Sequence, residues 1–181
     1  MGHNSHSPGA VRSDTGESEF SYNSRLAGYM QQYGGPDIEV RVFFREFVGS
    51  YTREIRKVYS EVDNWGADAS IELHFNSAGT PDASGTETLT SGSAKSVTLA
   101  QEVQMHMVEL LGLRDRGIQV RNSRTKGRGY MSLVSGNAPA ILIEPFFGSS
   151  PKGQVKTDEE HEQRALAEAV MDGVREYFAH F

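Results

Sequence analysis

An α/β fold is predicted: one domain across residues 1–181, with a mixed, mostly parallel β-sheet flanked by helices. Three observations predict it. Segments of strand period alternate along the chain with segments of helix period, and no internal repeat interrupts them. Ala140-Ile141-Leu142-Ile143 is wholly apolar, the pattern of a strand buried on both faces of an α/β sheet. The chain has 181 residues and no break in composition, which suits one sizeable core rather than two joined by a linker.

The elements follow in order. Ser13 to Ser24 is polar and glycine-containing and reads as loop, so the first two dozen residues are expected to lack regular structure. Arg25 to Tyr33 has helical character and stops at Gly34-Gly35-Pro36. Ile38 to Phe44 alternates apolar and polar residues before turning apolar, which predicts a strand. Ser50 to Asn64 places Tyr51, Ile55, Val58 and Val62 three and four apart, an amphipathic helix. Ala69 to Phe75 is a second alternating strand. Asn76 to Gly92, rich in Ser, Gly, Thr, Pro and Asp, predicts a long loop. Lys95 to Leu111 carries Leu99, Val103, Met107 and Leu110 on one helical face and closes at Gly112; Met105 and Met107 straddle that helix and read as packing. Ile118 to Arg121 is a short strand followed by the basic stretch Arg124–Arg128. Thr157 with Glu160 reads as a capping box opening a last helix, whose inward face is Leu166, Ala169, Val170, Val174 and Phe178.

Composition narrows the chemistry. No apolar run approaches the ~20 residues of a membrane-spanning helix. Met1 to Ser5 lacks the basic stretch and apolar core of a signal peptide. With no cysteine, a disulfide scaffold, a thiolate zinc site and a cysteine nucleophile are excluded together. A net charge of −6 argues against a nucleic-acid partner, which calls for a basic surface. Sites in such sheets gather where strands end. His74 sits at one such end, Glu144 directly follows the apolar run, and His3 lies near the chain start. A carboxylate beyond a buried strand is costly unless paired, metal-bound or in use. Imidazole and carboxylate are ligands for a catalytic zinc that keeps one position for water, although no short diagnostic spacing such as HExxH is present.

Taken together, five segments carry a resemblance. They are Gly2-His3 with Gly9-Ala10, Glu19 with Leu26-Ala27, Ser70 to Ala78, Gly85-Thr86-Glu87, and Pro139 to Phe147. Their order and spacing resemble the zinc-dependent N-acetylmuramoyl-L-alanine amidases, the amidase-3 family of cell-wall hydrolases with a phosphorylase/hydrolase-like fold. Asn4 stands where that family has a second glycine. Glu17 competes with Glu19, but Leu26-Ala27 lies at the family distance from Glu19. The resemblance implies that His3, Glu19 and His74 hold one Zn²⁺ per chain and that Glu144 is the catalytic carboxylate. It also implies cleavage of the amide joining the lactyl group of N-acetylmuramic acid to L-alanine of the stem peptide. Asn76, Glu87 and Arg128 are the expected substrate contacts. Peptidoglycan is the expected partner, the expected state a monomer, and the expected place of action the cell wall, after synthesis in the cytoplasm.

Plainer readings stand beside these. His3 could be a frayed terminal residue, His74 a hydrogen-bonded strand-end histidine, and Glu19 a helix N-terminal acid favoured by the dipole. Glu144 could be an ion-pair partner of Arg128. His6 reads as loop or substrate contact, and His106, His161 and His180 as surface. At the level of function, the alternatives are a non-catalytic peptidoglycan-binding relative and a zinc hydrolase of small peptides or acyl-amino acids.

Overall fold

Ser18 ends the opening loop. Its side chain accepts from the Ser21 N–H and caps α1 (Glu19–Tyr33) in the computed structural model, which describes residues 1–181. The helix therefore starts six residues before Arg25, the first residue given helical character by the pattern. After it come α2 (Tyr51–Trp65), β1 (Ser70–Leu73), β2 (Thr86–Thr90), α3 (Ala94–Leu111) and β3 (Asp115–Val120). The chain ends with α4 (Tyr130–Val134), β4 (Ala140–Glu144), α5 (Pro151–Gln154) and α6 (Glu160–Ala179). Gly66 and Gly112 close α2 and α3 at left-handed φ of 83° and 59°.

The four strands are ordered β1-β4-β2-β3. β1 runs parallel to β4 and β2 parallel to β3, while β2 and β4 are antiparallel. The sheet is thus mixed and mostly parallel, as expected. β4 is buried along its whole length, which is why it can be Ala-Ile-Leu-Ile. Strand alternation then divides the molecule. Ile141 and Ile143 of β4, with Leu73 and Phe75 from and beyond β1, face α1, α3 and α6 and join the main core with Leu26, Val103, Met107 and Val170. Ala140 and Leu142 pack instead with Leu89 and Leu133 of α4. Glu72, His74 and Glu144, by the same alternation, belong to this second side.

Several expectations are corrected. Thr86–Thr90, read as loop, is an interior strand. Its threonines are buried but satisfied: Thr86 Oγ1 donates to the Pro145 carbonyl (2.7 Å) and Thr88 Oγ1 to Gln104 Oε1 (2.8 Å). Ile38 to Phe44 alternates as a strand does, with Ile38, Val40 and Val42 half-buried, yet no strand pairs with it. A cavity of about 910 Å³ separates it from the outer edge of β1, so its backbone finds no ladder. Thr157 does not cap α6. Its hydroxyl bonds the Gly153 carbonyl and receives the buried Arg12 guanidinium, and the capping box is Glu159 with Glu162. Leu110 and Phe178 are exposed, while their neighbours Leu111 and Tyr177 are buried. Of the methionines, Met107 packs in the core but Met105 is exposed.

Arg12 is the largest fully buried polar side chain. It donates to both Asp14 oxygens, to Thr157 and to the Gln154 carbonyl, and lies over the Tyr22 and Phe146 rings. The opening loop is thereby tied to the α5–α6 turn.

Where α6 crosses α3, Gly173 brings the two backbones together: a Cβ there would stand 2.6 Å from Val103 Cα. Gly→Ala inside a helix ordinarily gains roughly 0.5–1 kcal/mol. Here overpacking against a backbone that cannot yield costs about 1–3 kcal/mol and reverses the sign. Denaturant unfolding is expected to show Gly173→Ala destabilised, and Gly28→Ala in α1, where a Cβ meets nothing within 4 Å, slightly stabilised.

Candidate active site

Parallel pairing of β1 with β4 sets Leu73 opposite Ile143, and His74 N–H continues the ladder to the Ile143 carbonyl at 3.1 Å. His74 and Glu144 therefore emerge side by side at the carboxyl ends of two adjacent strands. From the other side, β2 enters antiparallel with Glu87 opposite Glu144.

Glu19, the first residue of α1, points into this end of the sheet and is 2% exposed. Two backbone N–H groups and two imidazoles surround it. Oε1 receives the Phe75 N–H (3.1 Å) and faces His74 Nδ1 (2.7 Å); Oε2 receives the Ala10 N–H (2.9 Å) and faces His3 Nε2 (3.3 Å). The two imidazoles meet edge-on with centroids 4.9 Å apart. His3 Nδ1 lies 3.0 Å from the Ser7 carbonyl, which only accepts, so the Nδ1 proton is fixed there and Nε2 is left toward Glu19. The Met1 amino group donates to the Phe43 carbonyl at 2.9 Å, so the segment carrying His3 is anchored rather than frayed. Two glycines make the approach possible. A Cβ on Gly2 would collide with the His74 ring, and one on Gly9, at φ +84°, would stand 2.6 Å from Glu19 Oε2.

One ligand-type atom from each of His3, Glu19 and His74 lies within 4.8 Å of the others, the separation a single shared cation requires. Nitrogen, nitrogen and carboxylate oxygen form a donor set suited to zinc, and each imidazole has its remaining nitrogen engaged by protein. The residues fit the ion.

Glu144 is set apart from Glu19. It is 2% exposed, Arg128 pairs with its Oε1, and Oε2 is buried without a partner. Burial pushes its pKa up to about 7, against the opposing charges of His74 and Arg128. Burial acts on Glu19 in the same direction, but its bonds to His3 and His74 outweigh it and hold the carboxyl far below the ordinary range. His74, despite burial that disfavours its charge, is raised to about 9 by Glu19 and Glu72 on its two nitrogens.

A family model described as N-acetylmuramoyl-L-alanine amidase matches residues 1–176. The chain belongs to this amidase family. Among curated relatives, YqiI of Bacillus subtilis is 30% identical over 115 residues, covering 62% of this chain and 52% of its own. The N-acetylmuramoyl-L-alanine amidase LytC of the same organism is 26% identical over 115 residues, covering 62% and 22%. The chain thus matches about half of the first relative's length and less of the second's. The crystal structure of an N-acetylmuramoyl-L-alanine amidase from Clostridium difficile 630 superposes with a TM-score of 0.83 at 28% identity, covering 98% of this chain and 93% of that one.

The structure places the remaining expected residues as follows. Glu17, the competing acid, pairs with Arg25 and Ser21 and turns away from the site. Asn76 Nδ2 donates to Glu87 Oε1 (2.8 Å), whose other oxygen takes Arg116 Nε (2.8 Å), so Asn76 and Glu87 form one chain at the rim. Arg128, 57% exposed, reaches in from the β3–α4 loop, so the ion-pair reading of Glu144 also holds. His6 stacks on Phe47, His180 bonds Glu102, and His161 is exposed. His106 is half-buried rather than superficial, with Nε2 unpartnered. Glu72, which the sequence reading passed over, accepts from His74; its spacing two residues before that histidine was the available signal.

The raised pKa of His74 has a consequence for the metal-free protein. A histidine whose folded pKa of about 9 exceeds its ordinary 6.5 stabilises fully below pH 6.5 and ceases to as pH rises through 9. Thermal unfolding of chelator-treated protein is expected to show Tm falling from pH 6.5 to 9, and the His74→Gln variant to lack most of that slope.

Proposed function

We propose that residues 1–181 form one zinc-dependent amidase domain that hydrolyses the amide between N-acetylmuramic acid and L-alanine in peptidoglycan. His3, Glu19 and His74 hold the metal, and Glu144 is the general base and then the general acid. The observation that carries this reading is the pairing of a three-ligand cluster with a separate buried carboxylate, Glu144, whose Oε2 is unpartnered. Supporting the catalytic reading over a non-catalytic relative is that every element of the site is assembled, with no gap where a ligand should stand.

Zinc, when bound, supplies a Lewis acid for the scissile carbonyl and lowers the pKa of a coordinated water to about 7. The chain's own part is positional and protolytic. Glu19 is locked by two backbone N–H groups, so the helix and the strand end cannot drift apart. Glu144, with its pKa near neutrality, takes a proton from the attacking water at Oε2 and returns it to the departing alanine nitrogen. Its low-dielectric setting makes both transfers feasible near pH 7. Asn76, Glu87 and Arg128 ring the opening; the Arg128 guanidinium is matched to a carboxylate of the stem peptide. No helix of the molecule is long and apolar enough to cross a membrane, and the polymer acted on lies in the cell wall.

Purified cell walls test the reading. Amide hydrolysis frees alanine amino termini without new reducing sugar ends, and a chelator should abolish their release. Glu144→Gln is expected to lower kcat by about 10²–10⁴-fold while leaving Tm unchanged or raised, since it removes a buried carboxylate whose Oε2 has no partner. Walls digested equally well by chelated protein or by that variant would end the proposal.

As a base, Glu144 must be ionised, so kcat/KM is expected to fall as pH drops below a limb at or under about 7, a bound cation favouring the carboxylate. Removing the neighbouring positive charge in Arg128→Ala should move that limb upward and raise KM for wall fragments, measurable in a pH–rate profile.

A further inference from the structure

Glu72 and His74 are two apart on and just beyond β1, so their side chains share one face of the sheet. Glu72 Oε1 lies 2.8 Å from His74 Nε2, and both residues are buried. An ionised carboxylate offers only lone pairs, so the ring presents an N–H to it. The opposite ring nitrogen, Nδ1, is the one that faces Glu19 at 2.7 Å. Glu72 is itself braced, since Tyr59 of α2, also buried, donates its hydroxyl to Oε2 at 3.2 Å. Glu72 is not among the residues whose ligand atoms converge. Standing on the far edge of the imidazole, it cannot share a cation bound at Nδ1.

We propose that Glu72, braced by Tyr59, is the positioning residue of this site: it holds the Nε2 proton of His74 and so dedicates Nδ1 to the metal. The inference rests on the ligand set proposed above and adds to it the device that fixes one ligand's tautomer and orientation. The two histidines are held by different means. His3 gives its Nδ1 proton to the Ser7 carbonyl and presents Nε2; His74 gives its Nε2 proton to Glu72 and presents Nδ1. Only this crossed use of ring nitrogens brings Nε2 of His3 and Nδ1 of His74, the two nitrogens left for a cation, to the same side as the Glu19 carboxylate. A carboxylate partner, unlike a carbonyl, also makes the imidazole a more basic ligand, and loss of such partners costs metal sites about 10–100-fold in affinity.

The test measures zinc affinity by competition with a chromophoric chelator, together with the ¹⁵N resonances of the His74 ring in the zinc-loaded protein. Wild type is expected to bind one zinc with His74 protonated at Nε2. Glu72→Ala should weaken binding by about 10–100-fold. Glu72→Gln, whose amide oxygen still accepts the proton, should recover most of that loss, and Tyr59→Phe should lose less than Glu72→Ala. A role confined to folding would lower the Tm of metal-free protein without this order of affinities. Wild-type binding with Glu72→Ala within twofold of it, or a ring protonated at Nδ1, overturns this inference alone. Wild-type protein that takes up no stoichiometric zinc overturns the ligand reading, and this inference with it. The ring protonation in wild type decides the matter even where Glu72→Ala does not fold.

Discussion

The buried carboxylate of Glu19 is the constraint on which the rest of the site depends. An isolated carboxylate inside a protein costs several kcal/mol, and this one is tolerated because two backbone N–H groups and two imidazoles from separate stretches of chain converge on it. Those stretches are the opening segment, through His3 and Ala10, and the end of β1, through His74 and Phe75. The carboxylate itself belongs to α1. A single side chain thus joins three parts of the fold. The glycines at positions 2 and 9 follow from the same crowding, because neither backbone could approach the His74 ring or Glu19 Oε2 with a side chain attached.

Two acids a short way apart have been driven in opposite directions by their surroundings. Glu19, met by two backbone N–H groups and two imidazoles, stays ionised at any physiological pH, the state its proposed role as a metal ligand requires. Glu144 has one oxygen with no partner and is raised to about 7, the state its proposed role as a proton carrier requires. The division arises from backbone placement. Glu19 heads a helix and faces the free N–H groups of two loops, whereas Glu144 is the last residue of a fully buried strand and its carboxylate meets no backbone N–H. His74 beside it and Arg128, reaching in from an exposed loop, compensate its charge only in part.

Much of this was legible in the chain. β4 declared itself because a short, wholly apolar run suits a strand buried on both faces, and α3 because its apolar residues recur at helical spacing. His3, Glu19, His74 and Glu144 were legible as a set through their motifs. β2 was not, because Thr-Glu-Thr-Leu-Thr is composed like a loop; its burial works only through hydroxyl bonds to Pro145 and Gln104, which no local pattern reveals. Ile38–Phe44 failed the other way. Alternation is necessary for a half-buried strand, but a strand also needs a neighbour, and here an open cavity lies where one would run. The cap of α6 was misassigned because Thr157 is recruited by Arg12, a contact spanning 145 residues.

Strand parity accounts for how structure and chemistry coexist in so short a sheet. On β1 and its extension, Leu73 and Phe75 enter the main core while Glu72, His74 and Asn76 point the other way. On β4, Ile141 and Ile143 do the former, and Leu142 and Glu144 the latter. A one-residue slip of β1 against β4 would bury His74 among the phenylalanines and expose Leu73, so core packing itself enforces the register of the site. The stability of the main core and the geometry of the chemical groups are therefore set by one alternation. Polar residues can accumulate at the strand ends without weakening the hydrophobic side, because each occupies a position the core could never have used.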